Sequence, residues 1–79
     1  MIKFIGLFYG NTLSEREVSI LDKLEVEAET KILNKIKNRF RVKFDTVDTV
    51  VVDGVKLEYV LEKTKAGFTV TVNNVVEEV

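Results

Sequence analysis

The spacing of apolar residues changes once along this chain, and that change decides most of what it can fold into. Between Val18 and Phe40 they recur at steps of three or four: Val18, Leu21, Leu24, Ala28, Ile32, Ile36 and Phe40. Such steps place them on one broad face of an α-helix. From Phe40 onward the step shortens to two. Phe40, Val42, Phe44, Val50 and Val52 occupy even positions, while Arg39, Arg41, Lys43 and Asp45 occupy odd ones. That alternation belongs to strands with one apolar face. The sequence therefore asks for a helix followed by a sheet that packs against it.

Local signals mark where these elements begin. Ser14 to Glu17 forms an S-x-x-E capping box after Gly10, Asn11 and Thr12, so the helix is expected to start near Ser14. Over residues 24–30, Leu24, Val26, Ala28 and Thr30 alternate with charged residues in a way a strand also uses. Leu, Glu, Ala and Lys favour helix, and Glu27 with Lys31 is a correctly oriented i,i+4 pair, so helix is the expectation.

Asp53-Gly54 between Val52 and Val55 is a two-residue hairpin turn, because a type I′ turn needs positive φ at both central positions. It pairs Val52 with Val55 and Val50 with Leu57, putting Leu57, Tyr59 and Leu61 on the apolar side. A second turn at Lys65 to Gly67 returns Phe68, Val70 and Val72 to that side, with Thr69 and Thr71 opposite. The first strand, Ile2 to Tyr9, is apolar on both sides, which suits an interior position in the sheet. Asn73-Asn74 reads as a turn, leaving Val75 to Val79 as a short strand or a tail. The expectation is one α+β domain over residues 1–79, β-α-β-β-β, with one long helix on a mainly antiparallel four-stranded sheet.

At 79 residues such a domain has a thin stability margin. With no cysteine and no histidine, neither a disulfide nor a Cys/His zinc site can staple it, and self-association is the remaining route. Absence of cysteine fits an intracellular, cytoplasmic protein. The N-terminal apolar run contains Lys3 and no small-residue cleavage site, so it reads as a strand, and nothing approaches the roughly 20 apolar residues of a membrane span. Richness in Lys, Glu, Val and Ile without Gln resembles the usage of hyperthermophile proteins.

Three groups of side chains bear on function. Lys31, Lys35, Lys37, Arg39, Arg41 and Lys43 occur with no acidic residue between them. Lys35, Lys37, Arg39, Arg41 and Lys43 would form a phosphate-contacting strip for nucleic acid. Yet a helix with acid at its start and base at its end also satisfies its own macrodipole, and base-stacking aromatics are missing from the basic side. Asp45, Asp48 and Asp53 with Glu58 and Glu62 match no cation loop. Asp48 points toward the core opposite Tyr59, where a hydrogen bond to the Tyr59 hydroxyl would satisfy it. Finally, Val47, Val51 and Val60 fall on the side opposite the core, where Ile5, Leu7 and Tyr9 join them through the first strand. A stripe of that kind serves a subunit interface, unless residues 75–79 fold back over it.

Leu13 to Leu24, LSEREVSILDKL, is similar to the opening helix of some helix-turn-helix DNA-binding domains; no second recognition helix follows those twelve residues, so no contact role is carried over. The strand, helix, long-strand order resembles small flavin-binding dodecins, but the tryptophan expected to stack on the flavin is missing. Gly-rich phosphate loops, metal-binding His or Cys clusters and a nucleophile with a histidine base are also missing. The chain is therefore expected to be no enzyme and to hold no cofactor, metal or small-molecule ligand. It is expected to be an interaction module that associates with itself, as a dimer, with nucleic-acid binding as the alternative.

Overall fold

A computed structural model describes residues 3–38 and 42–77. The order is β1 (Phe4–Tyr9), α1 (Glu15–Lys37), β2 (Val47–Val52), β3 (Val55–Thr64) and β4 (Gly67–Glu77), an α+β arrangement with one helix on one four-stranded sheet. Ser14 caps α1: its hydroxyl accepts from the Glu17 amide at 3.2 Å while the Glu17 carboxylate accepts from the Ser14 amide at 3.1 Å. The helix continues unbroken through residues 24–30, so helix propensity wins over the short alternating pattern there. Leu21, Ala28 and Ile32 are fully buried, with Leu24, Leu33 and Ile36 packed beside them.

Both hairpins have the expected register. Asp53 and Gly54 adopt φ of 52° and 77°, the conformation of a type I′ turn. Val52 pairs with Val55, Val50 with Leu57 and Asp48 with Tyr59, and across the second turn Leu61 pairs with Val70. Leu57, Tyr59, Leu61, Phe68, Val70 and Val72 consequently lie on one side and meet the helix.

The rest of the sheet departs from expectation in three places, each with a backbone cause. The sheet is mainly antiparallel as expected, in the order β1-β4-β3-β2, but β1, its one parallel strand, pairs with β4 at an edge, where an interior position was expected. Two consecutive hairpins build β2, β3 and β4 as a meander with β3 in its middle, so β1 can join only at an outer edge, and it takes the free side of β4. Gly67 permits that junction: the Phe68 amide donates to the Lys3 carbonyl at 2.8 Å, and a Cβ on Gly67 would sit 1.9 Å from that oxygen.

Second, β2 starts at Val47, so Val42, Lys43 and Phe44 are not on a strand. Asp45 takes a left-handed φ of 59° and its amide donates to the Leu61 carbonyl at 2.8 Å, a bend that ends alternation before Val47. Phe40 lies outside the described residues.

Third, Asn73-Asn74 is no turn, and β4 continues through it to Glu77. Glu58 pairs with Asn74 and Tyr59 with Val72, leaving Asn73 as the extra residue of a bulge. The bulge shifts the alternation by one, which is how Val72 and Val75 both reach the core although three residues apart. With β4 held in the sheet, residues 75–77 do not fold back across its outer face.

Candidate interaction surface

The helix covers one side of the sheet, and the other side has no described element over it. Register defines what that open face displays. One cross-strand row reads Phe8, Thr71, Val60 and Val47 from β1 to β2, and a second reads Val76, Lys56 and Val51. Between them runs a polar row of Asn74, Glu58 and Thr49, in which the Asn74 amide donates to the Glu58 carboxylate at 2.8 Å. Val47 is 61% exposed, Phe8 50%, Val51 48%, Ile5 43% and Val76 41%. Val26, the other large exposed apolar residue described, stands apart on the helix. Exposed valines and phenylalanine in rows across one face differ from scattered surface apolar residues, which need no explanation.

Val47, Val51 and Val60 therefore stand on the face the sequence assigned them to. Leu7 and Tyr9 do not join them: they pair with Val70 and Val72 and pack against the core. The register slips between Phe4 and Gly6, and this bulge reverses the alternation expected for β1. Phe8 takes their place on the open face. Its ring lies 3.6 Å from where a Gly6 Cβ would be, covering the glycine beside it. With Phe4 paired to Phe68 on the core side, the bulge is what brings Phe8 to the open face, and the sequence alone gives no sign of one.

The basic strip is divided differently from expectation. Lys35 is a structural residue: its Nζ lies 3.1 Å from Asp48 Oδ1 and donates to the Thr49 carbonyl. Lys31 donates to the Val51 carbonyl at 3.1 Å. In a hairpin closed by a Val52–Val55 pair, residues 49 and 51 turn their backbone groups away from β3. Two helix lysines thus occupy the outward carbonyls of edge strand β2. Lys37 and Lys43 are exposed, Lys43 on the irregular segment and not on a strand. Arg39 and Arg41 lie outside the described residues.

Asp48 resolves as a satisfied half-buried carboxylate. Besides Lys35, it accepts from the Tyr59 hydroxyl at 3.3 Å, the partner expected from the register, and from the Thr49 amide at 2.8 Å. Glu17 holds the opposite end of the helix, accepting from the Val75 amide at 3.3 Å in addition to the Ser14 amide. The Ser14 amide and hydroxyl, with a smaller contribution from the Val75 amide, keep the Glu17 carboxyl below its ordinary value, and burial opposes them.

Among the described residues no group of three or more His, Cys, Asp or Glu could hold a metal ion. An apolar hollow of about 210 Å³ is lined, among the described residues, by Ile36, Val42, Phe44 and Phe68. No helix of the described residues is long and apolar enough to cross a membrane. No protein family, curated protein or solved structure matches the chain.

Proposed function

We propose that this chain is a non-enzymatic assembly module that associates with a second copy through the open face of its sheet. One observation carries the reading: the Phe8–Thr71–Val60–Val47 row crosses all four strands, with Phe8 and Val47 at its ends half or more exposed. A small domain gains from covering such a face, because its core alone leaves a thin margin. Face-to-face sheet packing at about 10 Å suits these side chains. The flanking polar row limits stickiness and sets how two faces must align, since Glu58 needs a polar neighbour when buried.

Lysine at Val47 and glutamate at Val51 test this directly, because both positions are exposed and the fold does not need them. The double variant is expected to fold as the native chain does and to sediment as a smaller species. An unchanged mass would refute face packing.

A further inference from the structure

The two edges of the sheet are treated differently. On β2, the outward carbonyls of Thr49 and Val51 are taken by Lys35 and Lys31. Lysines over an edge are a common way to prevent another strand from adding there. On β1 the reverse holds. Phe4–Tyr9 contains no charged residue and no proline. Gly10 donates to the Val72 carbonyl, so by the alternation of a parallel ladder Gly6 and Phe8 bond β4, while Leu7 and Tyr9 turn their backbone groups outward. No described side chain donates to those outward carbonyls.

We infer that β1 is a second interface, at which two copies pair antiparallel, β1 against β1, around a twofold axis. This rests on the proposed packing of the open face and extends it. Charge selects a second copy as the occupant. Lys3 stands exposed at the start of β1, while the far end of β1 lies beside the acidic half of α1, where the Tyr9 hydroxyl donates to Asp22. Antiparallel pairing brings each basic end next to the partner's acidic end, twice by symmetry; parallel pairing would put like ends together.

Area points the same way. Four strands about 4.8 Å apart and about seven residues long present a projected face of roughly 450 Å², against the ~800 Å² per partner of a standard interface. Pairing two β1 edges joins two open faces into one of about 900 Å² before it packs. Edge pairing and face packing about perpendicular twofolds close a tetramer of 222 symmetry.

Sedimentation equilibrium of the full chain, with Lys3→Glu, Asp22→Lys and the double charge swap beside it, tests the inference. The native chain is expected to be tetrameric. Each single reversal should weaken edge association about ten-fold, leaving face-packed dimers, and the swap should restore it. Amide exchange supplies a readout without substitution: the Leu7 and Tyr9 amides should become protected as concentration rises. A dimer lost with the Val47 and Val51 variants, but indifferent to the charge series and with freely exchanging Leu7 and Tyr9 amides, would overturn edge pairing alone. A chain that stays monomeric would overturn edge pairing and the proposed function together.

Discussion

Lys35 Nζ lies 3.1 Å from Asp48 Oδ1, joining the last turn of the helix to an edge strand thirteen residues away in sequence. The two side chains are about two-thirds and three-quarters buried, at 32% and 25% accessibility, so the pair is worth more than a surface ion pair. Asp48→Ala removes the acceptor of Lys35, of the Tyr59 hydroxyl and of the Thr49 amide together. Urea unfolding should show a loss of about 2 kcal/mol, with a coupling of about 1 kcal/mol to Lys35→Met in a double-mutant cycle. Additive single variants would show that the pair holds nothing.

Acid should act through Glu17. Its folded value is depressed below the ordinary glutamate value of 4.5, so its contribution is fully present above that value and is lost as pH falls through the lower folded one. Glu17→Gln should therefore be less stable than the native chain at pH 7, and the gap should close on acidification. A gap that persists unchanged well below the ordinary carboxylate range would contradict this assignment.

Gly67 is where β1 meets the meander, and the space for a side chain there is filled by the Lys3 carbonyl. Gly67→Ala should cost about 2 kcal/mol or more in unfolding measurements. It should also raise amide exchange selectively in β1. Equal stability would mean that β1 does not dock as described.

The basic residues permit a test of the alternative reading. Lys35 already serves the Asp48 network, so the account expects no salt-dependent retardation of DNA or RNA. Retardation at low salt that falls steeply between 50 and 200 mM, on the order expected for several released counterions, would restore nucleic-acid binding.

The hairpins and the helix were legible because each is written in local terms. Asp53-Gly54 fixes one turn and its register, and the Ser14–Glu17 box fixes the helix start, so the core positions follow by counting. What counting cannot see is a bulge. The slip beside Gly6 reverses the alternation downstream in β1, which puts Leu7 and Tyr9 against the core and Phe8 on the open face, and the slip at Asn73 does the same in β4, which brings Val75 to the core. The edge position of β1 was illegible for another reason: an uncharged strand usually belongs inside a sheet, and this one remains uncharged at an edge. Asp48 was legible as far as Tyr59, which follows from strand register, but its contact with Lys35 depends on how the helix crosses β2.

In the proposed assembly a second copy covers the outer face of the sheet. The most direct measurement of that covering is the solvent accessibility of Val47 and Val51 methyl groups, read by paramagnetic relaxation from a soluble probe across a dilution series. Both valines should broaden strongly at low concentration and lose that broadening as concentration rises, while Val26 stays broadened throughout. Broadening of Val47 and Val51 that is the same at every concentration would contradict the assembly.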